Sequence, residues 1–287
     1  MINKSNTIKI TECPRDAMQG IKEFISTDEK IRYINSLLKV GFDIIDFGSF
    51  VSPKAIPQMK DTSSVITKLD ISNTSSSLLS VVLNKRGALD ALSFDEIDYL
   101  GYPFSVSNIF QKKNSNKNID ESISLIDDLN NITFKKNKKL LIYISMAFGN
   151  PYNESYSPEI VFNYIEKLSN MGINYFTLAD TVGSASIELI KSIFSQLDFC
   201  KKDIGVHFHS HPDYSFSKVE MAYKYGCRRF DSTISGIGGC PFAKDELIGN
   251  ISTQTLLNFI QSKKVEHNLN LLNLETSVND AKDLFKF

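Results

Sequence analysis

Three stretches of the chain repeat one local pattern: VGFDIIDF (40–47), MGINYFTLAD (171–180) and YGCRRFDSTI (225–234). Each places a glycine where a helix would end, then a short apolar run, rich in β-branched and aromatic residues, that contains or ends in aspartate. A helix handing over to a buried strand, three times in one chain, is the building unit of an α/β sheet. Further strands are read at TIKITE (7–12), LLSVVLN (78–84), EIDYLG (96–101), KLLIYISMA (139–147) and IGVHFH (204–209). These runs are nearly continuously apolar rather than alternating, which suits parallel strands covered by helices on the outside.

Helix-period segments lie between the strands. Ser26 with Glu29 has capping-box spacing ahead of Ile31, Ile34, Leu37 and Leu38. Ser157 followed by Pro158 opens a second helix, with Val161, Tyr164, Ile165 and Leu168 at helical spacing. Ser217 with Glu220 repeats the capping-box spacing and predicts a third start, before a stop at Gly226. Eight strands alternating with helices predict a closed (β/α)8 TIM barrel, with residues 1–287 forming a single domain. An open doubly wound sheet is the rival, but no Gly-x-Gly-x-x-Gly turn follows an early strand. The Ser-, Asn- and Lys-rich segments 61–80 and 111–131 are read as polar loops and helix faces, because strand or helix signals resume directly on both sides.

Composition removes several function classes. The 287 residues carry a formal net charge of −1, and the one basic run, FKKNKK (134–139), reads as a solvated element end, so no nucleic-acid partner is expected. No apolar stretch approaches the roughly 18 residues of a membrane span, and the start has no signal-peptide pattern, so a soluble, cytoplasmic protein without a membrane partner is expected. Cys13, Cys200, Cys227 and Cys240 lack Cys-x-x-Cys spacing and read as reduced thiols. A homodimer is expected as the commonest soluble assembly.

In a barrel, catalytic groups gather at the C-terminal strand ends. The polar residues predicted there are Arg15, Asp16, Asp46, Asn84, Tyr143, Asp180, His207, His209 and Asp231. His207 and His209 stand at i and i+2 of one strand and face the same way. They are either two ligands for a cation or an ordinary hydrogen-bonded strand end. With Asp16 and a carbonyl or amide oxygen, they would make a mixed nitrogen and oxygen set that suits Mg2+ or Mn2+ better than a closed zinc site. His211 precedes Pro212 and is read mostly as a loop residue, with a substrate contact as the alternative. SGIGGCPFAKDELIGN (235–250) is read as a mobile loop at the active-site end. Cys240 on it is either an incidental small residue or a functional thiol.

ECPRDAMQG (12–20), DFGSFVSPKAIPQM (46–59), LADTVG (178–183), VHFH (206–209) and GIGGCPFAKDELIGN (236–250) resemble, in order, the motifs of the 3-hydroxy-3-methylglutaryl-CoA lyase family. That family belongs to the metal-dependent TIM-barrel lyases and Claisen-condensing enzymes, and the resemblance spans nearly the whole chain. Arg-Asp-x-x-Gln and His-x-His are shared with isopropylmalate synthase and 4-hydroxy-2-oxovalerate aldolase, whereas SFVSPK and the Gly-Gly-Cys-Pro loop resemble the lyase branch.

The resemblance implies cleavage of 3-hydroxy-3-methylglutaryl-CoA, an acyl-CoA, to acetyl-CoA and acetoacetate by metal-assisted retro-Claisen chemistry. It makes Asp16, His207, His209 and Asn250 ligands for Mg2+ or Mn2+. It implies that Arg15 neutralises charge on the substrate carbonyl oxygen and that Cys240 is the loop acid/base. Asp46 stands where the lyases usually carry Glu, while Asp180 and Tyr143 match active-site positions. Gln19 and Asn84 are expected to contact substrate. The alternatives are a related aldolase or Claisen-type enzyme acting on another 3-hydroxyacyl-CoA or a 2-oxo acid, and a non-catalytic barrel that binds acyl-CoA or metal. Retention of the Arg, Asp, His, Cys and Asn set argues against the last. Three departures stand out: Ser210-His211-Pro212-Asp213 where the lyases usually have Asp-Thr-Tyr-Gly, Asp46 for Glu, and a Cys240 loop about one residue longer.

Overall fold

A computed structural model describes residues 7–239 and 248–286. Eight strands, β1 (Lys9–Glu12), β2 (Ile44–Ser49), β3 (Ser77–Val81), β4 (Ile97–Ser105), β5 (Lys139–Ser145), β6 (Tyr175–Asp180), β7 (Asp203–Ser210) and β8 (Arg229–Ser232), pair in chain order, all parallel. Because β1 pairs with both β2 and β8, the sheet closes on itself as a TIM barrel. A ninth strand, β9 (Gly249–Asn250), runs antiparallel along the end of β7. All eight barrel strands fall where the apolar runs predict them, with β4 and β7 reaching further than expected.

The helices are α1 (Pro14–Gln19), α2 (Thr27–Leu38), α3 (Thr62–Ile66), α4 (Lys85–Ala91), α5 (Asn108–Ser115), α6 (Ile119–Lys135), α7 (Pro158–Asn170), α8 (Ile187–Phe194), α9 (Pro212–Lys224), α10 (Thr253–Lys263) and α11 (Leu271–Phe285). Ser26 and Glu29 form the expected capping box at the start of α2, each satisfying the other's backbone N–H. None of the described helices is long and apolar enough to cross a membrane.

Strand alternation sorts side chains into two compartments. Outward residues such as Ile45, Phe47, Ile142, Phe176 and Phe208 pack under the helices in the main core. Burying one such phenylalanine contributes about 2–3 kcal/mol. Inward residues Ile44, Leu79, Tyr99, Leu141 and Tyr143 fill the barrel itself. Across β6 to β8 the filling turns polar: Arg229 donates to Asp203 (2.8 Å), Thr177 (2.8 Å) and the Phe176 carbonyl (2.6 Å). Gly205 makes room for it, since a β-carbon there would lie 2.7 Å from the guanidinium carbon.

One helix start differs from expectation. α9 begins at Pro212, and Ser217 lies inside it. Proline fits the first helical turn because its missing N–H is one that no intrahelical acceptor would satisfy. His211 is the N-cap, its Nδ1 accepting from the Asp213 N–H at 3.3 Å. His211 is thus a helix cap rather than a loop residue, and Ser217/Glu220 is a helical i, i+3 pair rather than a capping box.

Candidate active site

α1 starts immediately after β1, its entry set by Pro14 at the first helical position. That places Arg15 and Asp16 at the barrel mouth, with Asp16 in a first turn where the helix dipole favours negative charge. Arg15 Nε and Nη2 donate to Asp46 at 3.0 and 2.5 Å, and Nη1 donates to Asp16 at 3.1 Å and to Gln19 Oε1 at 3.0 Å. Burial works against the Arg15 charge, but Asp46 and Asp16 outweigh it and hold the guanidinium protonated. Burial raises Asp46 to about 6 even against Arg15. Burial would also raise the Asp16 carboxyl, yet Arg15, His207 and His209 together hold it below the usual carboxylate range.

His207 and His209 turn their Nε2 atoms toward each other at 3.1 Å. His209 Nδ1 lies 3.0 Å from the Thr181 carbonyl, and His207 Nδ1 lies 3.3 Å from Asp231 Oδ2. A carbonyl or carboxylate can only accept, so both Nδ1 atoms carry hydrogen and the neutral rings oppose two Nε2 lone pairs. Lone pairs at that distance repel unless a proton or a cation lies beside them. Burial and then the neighbouring His207 lower the His209 pKa to about 4, which disfavours the proton there. Burial also disfavours charge on His207, but the bond and charge of Asp231, with Asp16, raise its pKa. Ligand atoms of Asp16, His207 and His209 all lie within 4.8 Å of one another. Imidazoles held from behind by a carboxylate and a carbonyl are the usual support for metal-binding histidines, so the donor set fits a divalent cation.

Asn250 reaches this cluster through β9, which pairs it directly with His209. Its amide nitrogen donates to Asp16 Oδ2 (2.7 Å) and to the Ile237 carbonyl (2.9 Å). The approach requires Gly238, whose φ is +90° and where a β-carbon would lie 2.7 Å from the Asp16 carbonyl oxygen.

The cluster opens into a cavity of about 680 Å3. Arg15, Asp16, Gln19, Tyr143, His207 and His209 form its polar floor, and Val51, Ile56, Val81, Leu83 and Phe110 form an apolar wall. Burial, with Asp231 and Asp46, pushes the Tyr143 hydroxyl well above its ordinary pKa, so it stays a neutral donor.

Two expected residues stand apart. Asp180 does not line the cavity: its carboxylate accepts from Lys218 Nζ (2.9 Å) and the Ala185 N–H (3.0 Å). Asn84 is exposed and caps α4, accepting from the Gly87 N–H at 2.8 Å. Cys240 lies outside the described residues. Asp231 reads in sequence only as one more polar strand end, and its role behind His207 follows from Arg229 and Asp231 facing inward at i, i+2. No sequence signal marks the Thr181 carbonyl.

The family model for HMGL-like proteins matches residues 8–280. A hydroxymethylglutaryl-CoA lyase of Bacillus subtilis is 31% identical over 260 residues, covering 90% of this chain and 86% of the relative. The human mitochondrial hydroxymethylglutaryl-CoA lyase is 31% identical over 271 residues, covering 93% and 82%. An Acinetobacter baumannii HMG-CoA lyase solved in complex with coenzyme A and 3-methylmalate superposes with a TM-score of 0.89 at 30% identity, over 99% of this chain and 93% of that one. With the match extending from the first barrel strand into the last helix, the chain belongs to the HMGL-like family.

Proposed function

We infer that this chain is a hydroxymethylglutaryl-CoA lyase, cleaving 3-hydroxy-3-methylglutaryl-CoA to acetyl-CoA and acetoacetate. The observation that carries the reading is the convergence of Asp16, His207 and His209 beside Arg15 on the floor of a cavity with an apolar wall. Asp16, His207, His209 and Asn250 would hold a divalent cation, and two imidazoles with oxygen donors suit Mg2+ or Mn2+. When bound, the cation supplies Lewis acidity that brings a tertiary hydroxyl proton within reach near neutral pH.

The chain's own groups do the rest. Asp16 is the one carboxylate among the described residues lining the cavity, and it takes the hydroxyl proton. The bond between C2 and C3 then breaks: the hydroxyl oxygen becomes the ketone of acetoacetate, and the bonding pair becomes the enolate of acetyl-CoA. Arg15 stabilises the enolate oxygen, a contribution worth about 3 kcal/mol for one well-placed donor. Asp46 holds Arg15 in place for this, and Tyr143 and Gln19 contact the substrate. The Cys240 thiol returns a proton to the enolate carbon. The apolar wall at Val51, Ile56, Leu83 and Phe110 accommodates the pantetheine arm.

The test is acetoacetate release from 3-hydroxy-3-methylglutaryl-CoA with Mg2+ or Mn2+, against an EDTA-treated control and the Cys240→Ala variant. Cation-dependent product that falls sharply in the variant is the expected result. No product from protein that binds Mn2+ would move the substrate to another 3-hydroxyacyl-CoA, a reading favoured by the shorter Asp46 at a position where the lyases usually have Glu.

A further inference from the structure

Lys218 is a lysine in mid-helix, a position that normally faces water, yet it is only 5% exposed. Its Nζ donates at 2.9 Å to Asp180 Oδ2 and at 2.9 Å to the His209 carbonyl. Asp180 ends β6, and its side chain is wholly buried. The next residue, Thr181, offers the carbonyl that lies 3.0 Å from His209 Nδ1. His209 is therefore held twice to the same dipeptide, by its ring through Thr181 and by its backbone through Lys218 and Asp180. The other Asp180 oxygen is fixed by the Ala185 N–H at 3.0 Å, so the clasp cannot pivot on the carboxylate.

We propose that Lys218 and Asp180 form a positioning pair that sets the His209 imidazole for the cation. This rests on the reading of Asp16, His207, His209 and Asn250 as the cation-holding set. Neither Lys218 nor Asp180 lines the cavity with Arg15 and the histidines, so the pair touches no reacting atom and acts through His209. A buried ion pair is poor value for stability alone, because desolvating both charges offsets much of their attraction. Ring placement, by contrast, runs through the backbone that the pair holds, and loss of outer-shell support for a metal-binding histidine typically costs about 10–100-fold in metal affinity.

The experiment measures Mn2+ binding to the full chain by calorimetry and, in metal-free protein, the His209 Nδ1–H resonance by 15N-detected NMR. Lys218→Met alone leaves a buried carboxylate unpaired and is prone to unfold, so the decisive protein is the Asp180→Asn/Lys218→Met double variant, in which no charge is stranded. We expect it to fold with a native circular dichroism spectrum, to bind Mn2+ at least about tenfold more weakly, and to lose or broaden the His209 Nδ1–H signal. Lys218→Arg, which keeps a cationic donor, is expected to retain most of the affinity. A folded double variant with wild-type Mn2+ affinity and an unchanged His209 signal overturns the proposal. If the wild type itself binds no Mn2+, the cation reading falls, and the NMR comparison alone decides whether the pair orients His209.

Discussion

Replacing Glu12 by Gln is expected to change how stability depends on pH. Glu12 is fully buried in β1, where it accepts from the Ile234 N–H at 2.7 Å and the Thr253 hydroxyl at 2.6 Å. It thus ties the first strand to the turn after β8 and to α10. Burial raises its pKa from 4.5 to about 8, against the hydrogen bonds from Thr253, Ile234 and Ser232. Below pH 4.5 the carboxyl is protonated folded or unfolded, and the contribution to stability is complete. Between 4.5 and about 8 the unfolded chain releases a proton that the folded chain keeps, so stability falls by about 1.4 kcal/mol per pH unit. The loss levels off above pH 8 at about 5 kcal/mol, an order-of-magnitude figure. Gln keeps a carbonyl for Ile234 and turns an uncharged amide N–H to the Thr253 oxygen, leaving the Thr253 hydroxyl to donate to Ser232 Oγ at 3.0 Å, so Glu12→Gln should match the wild type near pH 5 and gain on it steadily toward pH 8.5. Urea unfolding followed by circular dichroism across that range measures the difference. Parallel profiles for the two proteins would falsify the assignment of Glu12 as a buried acid.

Asp46→Glu adds a methylene behind Arg15 and pushes its guanidinium toward the cavity; a misplacement of about 1 Å costs about 10²-fold, to be read in kcat of acetoacetate release with KM followed alongside. A wild-type rate in that variant would mean that this pocket tolerates either carboxylate. Asn84→Ala removes only a helix cap, so a loss of about 1 kcal/mol in unfolding free energy with unchanged KM is expected, and a raised KM would restore Asn84 as a substrate contact. Gly238→Ala forces a β-carbon against the Asp16 carbonyl at a left-handed backbone position, and calorimetry should find Mn2+ binding weakened by more than about tenfold.

The barrel is legible because covered parallel strands tend to be apolar on both faces, and most of the eight are written as such runs; β8 (RFDS) is the exception, marked instead by the helix stop before it. The His207/His209 pair is legible for an equally local reason, since period-two geometry needs no knowledge of the rest of the chain. What fails is whatever depends on partners distant in sequence. Ser217 and Glu220 have the right spacing for a cap, but Pro212 starts the helix five residues earlier, just after the end of β7. Lys218 looks like a solvated helix face until Asp180 is brought beneath it. β9 is two residues long, too short for periodicity to register, yet it delivers Asn250. Asp180 matches an active-site motif, but matching a motif does not say whether a carboxylate faces substrate or braces a neighbour.

The hydrogen bond between Asn250 and Asp16 joins residues 234 apart, across the seam where β8 meets β1. The four residues proposed to hold the cation therefore come together only in the finished barrel: Asp16 belongs to the first turn after β1, His207 and His209 share β7, and Asn250 arrives only once β9 has docked on β7. A cation bound there favours the completed barrel alone, by about 2.7 kcal/mol when present at a hundred times its dissociation constant. It gives no help to seven-stranded intermediates, whose unpaired edges are the species that aggregate. Cation supply should then govern not only turnover but the yield of closed barrels on refolding, making the active site the last rivet of the fold.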